Sequence, residues 1–471
     1  MAKKVPDYSE LFSPTDFRYA VEELKPILSE EAYVKYKAKV EAALALQLSK
    51  IGVCSRAIAE EIRRSCERVT AEAVYAEEAR IKHDVRALAN VIRDGVSDTA
   101  KPYVHLTATS YDIVDTANAL RLKDAVKKVL IPDLVRLEEA LIAIDLAYYS
   151  SVQIGRTHGQ HAEPITFGYF ASCYVSRLGQ RILKMDEAAN SLSGKFAGAV
   201  GVYGPLSLLI ANPEKFERAL MSSLDLIPSE VSTQIVQPEP VTDLMHSIVS
   251  TFGVLANFAR DMRNLQRTEI AEISEEFSES QVGSSTMPQK RNPINFENVE
   301  STWKKFMPQM ITVYMDQISE HQRDLTNSLS QRYLPELLVA FDSSVRRLTR
   351  TIWDARKNKL RLSIETASMK RNLAMSEDTI SAEPLYILLS IAGHPDAHES
   401  VRKIVQRAIT EKKSFKEVLK SDRDLSKYFA KISRDKMKIL DSPSHYTGIA
   451  PQKARRVAIE WKRKMSRLTM Q

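Results

Sequence analysis

Glycine constrains this chain more than any other residue type. It occurs 14 times in 471 positions, roughly 3% against a usual value of about 7%. That is too few for the succession of tight turns that a β-rich fold requires, so the chain is predicted to be all-α. Periodicity agrees. Ile248, Phe252, Leu255, Phe258, Met262 and Leu265 recur three to four apart, the stripe of an amphipathic helix. Neither glycine nor proline interrupts 254–282 or 336–383. Further helical stretches are expected over 111–149 with a break at Pro132, over 165–193, and over 293–334 with a break at Pro308. Such lengths suggest an extended bundle. The chain has room for about three domains, placed at 1–112 (N-terminal, helical), 113–363 (central long-helix bundle) and 364–471 (C-terminal, helical).

The longest apolar runs, such as 206–211, fall far short of the ~18 residues needed to span a bilayer, which excludes a helical membrane protein. Met1, Ala2, Lys3 and Lys4 are not followed by an apolar signal segment. Cys54, Cys66 and Cys173 form no CxxC and read as buried thiols rather than a disulfide framework. A cytosolic location is expected. The formal charge is +7, and the last 21 residues alone hold seven basic side chains against one acidic, Glu460. Elsewhere the signs intersperse, so the balance points to an anionic small molecule and to no specific nucleic-acid partner.

Eight of the glycines, Gly155, Gly159, Gly168, Gly179, Gly194, Gly198, Gly201 and Gly204, fall within 50 residues. Irregular backbone concentrated in an otherwise rod-like molecule suggests a site. Three segments there and beyond could carry chemistry. The run 283–293, GSSTMPQKRNP, joins a glycine and three hydroxyl residues to Lys290, Asn292 and Pro293; proline suits a helix start, whose free N–H groups favour an anion. The run 155–164, GRTHGQHAEP, sets His158 and His161 three apart among glycines. HxxH without a nearby acid at ligand spacing is a weak metal signal, and proton transfer suits a histidine better; His83 and His105 are further candidates. Arg323, Ser328 and Arg332 could clamp a phosphate, although a solvated helix face would use the same residues. No Walker loop or dinucleotide fingerprint is present.

The run GSSTMPQKRNP closely resembles the signature of the fumarase/aspartase superfamily. Thr109-Ser110-Tyr111-Asp112 with Thr116-Ala117, and the segment Gly155 to Ala162, resemble its other two substrate-binding regions in the expected order. Arg18-Tyr19, Arg80 to Asp84, Ser232-Thr233-Gln234 and Arg323 to Arg332 are similar to segments of members that cleave succinylated purine nucleotides. Departures are Pro238-Glu239, Gln322 and Gln331. The alternative is a member acting on argininosuccinate or a carboxymuconate.

This resemblance implies a three-domain fold with a long central bundle, assembled as a homotetramer with a shared helical core and active sites built from three subunits. It implies β-elimination of fumarate with no cofactor and no metal. Ser284 would be the general base and His158 the general acid, with Glu297 orienting His158. Thr109, Ser110, Lys290 and Asn292 would hold the succinyl carboxylates; Thr157 and Gln234 would help position the substrate. Arg18, Tyr19, His83, Arg323, Ser328 and Arg332 would surround phosphate and ribose, with His83 also placed among the catalytic groups.

Overall fold

A computed structural model describes residues 13–277 and 286–469. Within them the protein is mostly helical, as glycine scarcity predicts, with a few short strands. The chain packs as two compact units. The first comprises Met1–Val135, Gln180–Leu255 and Glu300–Arg346; the second comprises Arg136–Gly179, Ala256–Val299 and Arg347–Gln471.

In the first unit, helix α1 (Glu30–Lys50) begins where the Ser29 hydroxyl accepts the Ala32 N–H, and Glu30 and Glu31 complement its positive end. It packs against α2 (Arg56–Arg68), capped in the same way by Ser55. Gly52, at φ +80°, makes the turn between them. Helix α3 (Ser110–Ala125) runs through a π-turn at Val126–Leu130 into α4 (Ile131–Tyr148). The π-turn explains how the helix survives Pro132. Proline has no N–H, and its ring would clash with the carbonyl four residues earlier; the widened turn, closed by Ile131 N–H to Val126 O, carries the helix past it.

In the second unit, a hairpin pairs β1 (Val152–Thr157) with β2 (Gln160–Thr166). Helix α5 (Phe167–Asn190) follows at once, and two of its glycines permit close approach. A Cβ on Gly168 would lie 2.4 Å from Tyr149 Cα, and one on Gly179 would lie 2.3 Å from the Trp461 ring. Trp461 belongs to the last helix, Ala450–Thr469, which buries Ala454, Ala458, Trp461 and Met465. A separate apolar cluster that includes Leu385, Leu389, Ile404, Phe415 and Val418 fills the interior of residues 382–440.

Several sequence expectations need correction. The stripe from Ile248 to Leu265 does form one helix, α6 (Glu239–Leu265), but it stops there, and Ala271 adopts φ +50° without any glycine. Over 293–334 the chain breaks at Pro308 as expected, between α7 (Ile294–Phe306) and a short helix Gln309–Met315, but the second stretch is not continuous, and α8 begins only at Ser328. Helix α8 (Ser328–Ile352) ends inside a stretch that lacks both usual breakers. There the Asp354 carboxylate accepts from the N–H groups of Arg356 and Lys357, and Asn358 takes φ +48°, so Asp and Asn make the turn. Cys54 and Cys66 are buried, whereas Cys173 lies on an exposed face.

Candidate active site

In the first unit, the residues singled out from sequence gather at the start of α3. Thr109 is its N-cap, and the Thr109 N–H donates to Asp112 Oδ2 at 2.8 Å. Asp112 is fully buried and also accepts from the N–H groups of Ala197 and Gly198, at 3.1 and 3.2 Å. The ammonium of Lys195, equally buried, completes the set with a charge-assisted bond to Asp112. Three residues along, the Asp115 carboxylate accepts the Val236 N–H at 2.9 Å; burial pushes its pKa up to about 7. Gly201, at φ +81°, lies so close to Ser232 that a Cβ would fall 1.9 Å from the Ser232 carbonyl oxygen. The segment bearing Gln234 is thus fastened to the helix that presents Thr109 and Ser110. Sequence reasoning placed Asp112 in a motif but gave it no role, and missed Asp115 and Lys195. The one available signal was a lysine set among glycines, at Gly194-Lys195.

Arg323, Ser328 and Arg332 also converge in this unit. The Arg323 guanidinium lies 3.4 Å from the Tyr111 ring centroid. Ser328 and Arg332 line a cavity of about 710 Å³ together with Tyr33, Lys37, Tyr111 and Arg121; Arg323 and Ser328 line a narrower one that also touches Tyr111. Lys37 is 1% exposed, with Nζ 4.1 Å from the Tyr33 ring and 4.0 Å from Asp84 Oδ2. Burial lowers its pKa, with Asp84 opposing. Arg121 lies over the same ring at 4.6 Å, and its Nε has no hydrogen-bond partner among the described residues. Lys37 and Arg121, absent from the sequence reading, therefore bring buried positive charge to this cavity, which Glu30, Glu78 and Asp84 also line. A larger groove of about 930 Å³ between α1 and α2 holds none of the motif residues. Arg18 and Tyr19 line neither of the two former cavities; Arg18 is exposed beside Phe17. His83 caps the helix Asp84–Asp94, its Nδ1 accepting the Arg86 N–H at 3.2 Å. A histidine read as site chemistry thus also has a structural role.

In the second unit, His158 and Gly159 form the two-residue tip of the β1–β2 hairpin, at φ +53° and +76°. Two positive φ values match a turn that favours asparagine and glycine, so histidine stands there against its backbone preference. His158 and Thr157 are exposed. The hairpin is anchored at Glu272, fully buried, which accepts from Gln153 Nε2 (2.6 Å), Arg156 (2.9 Å) and Asn372 (2.7 Å). His161 Nδ1 lies 2.7 Å from Ser376 Oγ, so that imidazole is tied to the scaffold. Lys290 is exposed, its N–H bonded to Met287 O. Asn292 and Pro293 lead into α7, where the Glu297 N–H bonds back to Pro293 O. The Glu297 carboxylate lies 3.9 Å from Arg263; among the described residues of this single chain no bond joins it to His158, which stands at an exposed hairpin tip. Ser284, the expected base, lies outside the described residues.

A family model described as "Lyase" matches residues 13–307. The chain is 34% identical over 460 residues to adenylosuccinate lyase of Pyrococcus horikoshii, covering 96% of this chain and 98% of that one. It is 29% identical over 454 residues to N-acetyl-S-(2-succino)cysteine lyase of Enterococcus italicus, covering 95% and 96%. The crystal structure of 3-carboxy-cis,cis-muconate lactonizing enzyme from Pseudomonas putida matches with a TM-score of 0.80 and 26% identity, over 95% of this chain and 99% of that one. No helix among the described residues is long and apolar enough to cross a membrane.

Proposed function

The chain belongs to the lyase family whose model it matches, the fumarase/aspartase superfamily, and from that membership we propose that it eliminates fumarate from adenylosuccinate, leaving AMP, and from succinyl-aminoimidazole carboxamide ribotide. The observation that carries the choice of substrate is a pair of arginine-lined cavities. Ser328 and Arg332 line one with buried Lys37 and Arg121 and with Tyr33 and Tyr111, where Glu30, Glu78 and Asp84 offset part of the positive charge; Arg323 lines the narrower one, which shares Ser328, Tyr111 and Arg121. Guanidinium groups suit a phosphate by charge-assisted bonds, and aromatic faces suit a flat ribosylated ring.

The chemistry is redox-neutral. Ser284 removes the Cβ proton, the resulting electron pair forms the fumarate double bond, and the C–N bond breaks. His158 then donates a proton to the departing nitrogen. Negative charge builds on the succinyl carboxylates as the proton leaves, so fixed donors are needed there. Thr109 and Ser110 at the start of α3, with Lys290 and Asn292, supply them. Gln234 and Thr157 position the substrate, Glu297 balances the His158 charge in the assembled enzyme, and Arg18, Tyr19 and His83 close over phosphate and ribose.

Two features support a homotetramer with sites shared by three subunits. His158 stands exposed at its hairpin tip, with no bond to Glu297 of its own chain among the described residues. Ile311, Met315, Ile318, Leu325 and Leu329 leave a largely exposed apolar surface on the first unit. A cytosolic location completes the proposal.

Incubation with adenylosuccinate, followed by its ultraviolet absorbance, tests the reading. Release of AMP and fumarate is expected. Inertness towards both nucleotides, with turnover of a carboxymuconate, would move the chain to the branch represented by the Pseudomonas putida structure.

A further inference from the structure

The segment from Val104 to Ser110 contains features that these roles leave unexplained. His105 and Thr107 both have left-handed backbone, at φ +59° and +66°. For a β-branched residue this is a real outlier, because Cβ crowds the neighbouring carbonyl; a glycine would sit there without strain. The Thr107 Oγ1 atom is also closed off from solvent and has no hydrogen-bond partner among the described residues. One residue thus combines a disfavoured backbone with an unsatisfied buried hydroxyl, and glycine would remove both.

The loop is fixed on either side of Thr107. Before it, His105 Nδ1 lies 2.6 Å from Glu41 Oε1, whose side chain is 1% exposed. Burial disfavours the imidazolium, but the Glu41 carboxylate outweighs that and raises the His105 pKa. After it, the Thr109 N–H is held by Asp112, itself locked to Lys195. Two ion pairs, that of Lys195 with Asp112 wholly buried, therefore hold Thr107 in its strained conformation, two residues before Thr109 and three before Ser110. Backbone strain maintained in this way at a site of recognition indicates a residue placed there for a ligand.

We propose that Thr107 is a further substrate-binding residue, whose hydroxyl, once turned about χ1 out of its closed-off position, donates to a carboxylate oxygen of the succinyl group beside Thr109 and Ser110. The ligand class is a four-carbon dicarboxylate, free or attached to the leaving amine. This inference rests on the elimination reading above. It gives His105, which the elimination scheme leaves without a role, the task of positioning the loop.

The test uses fumarate as a probe for Thr107→Gly, Thr107→Val and Thr107→Ser, with affinity measured by calorimetry and melting recorded without ligand. The Gly and Val variants should lose affinity for fumarate by about tenfold, as expected for a hydrogen bond to a charged group. Their kcat/KM for adenylosuccinate should fall at least as far, because charge on that carboxylate grows as the proton leaves. Thr107→Ser should stay within about twofold of the wild type on the same basis. Thr107→Gly should melt above the wild type, since it relieves strain. A purely structural threonine would change melting and leave fumarate affinity untouched, and Thr107→Gly binding fumarate as tightly as the wild type overturns the proposal. So does a wild type that binds no fumarate. Weakened fumarate binding in an enzyme inert towards adenylosuccinate would sustain Thr107 and overturn the nucleotide reading instead.

Discussion

Two side chains are asked to move one proton each in opposite directions, and the sequence makes both locally unusual. Ser284 follows a glycine in a hydroxyl-rich run, and His158 sits where a hairpin favours asparagine. Ser284→Ala and His158→Gln are each expected to lower kcat on adenylosuccinate by at least about 100-fold, the usual worth of a positioned acid or base. Retention of a tenth of the rate in either would remove its assigned role. A different carboxyl bears on stability. Asp145 on α4 is fully buried with neither oxygen hydrogen-bonded among the described residues, and burial pushes its pKa up to about 8 from an ordinary 3.8. The folded chain keeps this proton where the unfolded chain has lost it. Stability should therefore fall as pH rises between those two values and level off above about 8. The slope should reach about 1.4 kcal/mol per pH unit from this group. Thermal midpoints measured from pH 5 to 8 should flatten in Asp145→Asn; an unchanged slope would mean the carboxyl is not isolated.

Helices and hairpins were unequally legible. The α6 stripe could be read because one face of a buried helix must be apolar every third or fourth residue. The end of α8 could not, because Asp354 and Asn358 make its turn, and such residues also occur on solvated helix faces. The β1–β2 hairpin escaped notice for a related reason: Gln153, Arg156 and Glu163 interrupt its apolar pattern, and Gln153 and Arg156 face the buried Glu272 rather than an apolar layer. For the site, the motifs gave the groups expected to touch substrate. Lys195, Asp115, Lys37 and Arg121 are buried, and their partners Asp112, Val236, Asp84 and Tyr33 are distant in sequence. Glycines offer a test at this scale. Two lie in helix interiors, yet a methyl group added at Gly179 would meet the Trp461 ring at 2.3 Å, whereas one at Gly253 would meet nothing nearer than Trp303 Nε1 at 3.6 Å. Gly179→Ala should destabilise by about 1–3 kcal/mol through overpacking. Gly253→Ala should be neutral or stabilise by up to about 1 kcal/mol through helix propensity. Equal effects in denaturant titrations would show that the close packing of α5 on the last helix does not matter.

At the scale of the whole molecule, the proposed roles fall into two groups carried by separate units of the chain. Thr109, Ser110, Gln234 and the arginine-lined cavities belong to one, and His158, Lys290, Asn292 and Glu297 to the other. If sites are completed by neighbouring subunits, mixing inactive Ser284→Ala and His158→Gln proteins should restore measurable turnover after subunit exchange. No recovery, with exchange verified by mass, would place each site within one chain. The bare tip at His158 has a further consequence under that assembly. A freshly made single copy carries its acid where no reaction can reach it, so dilution silences the enzyme without unfolding it, and output per copy depends on how many others are present.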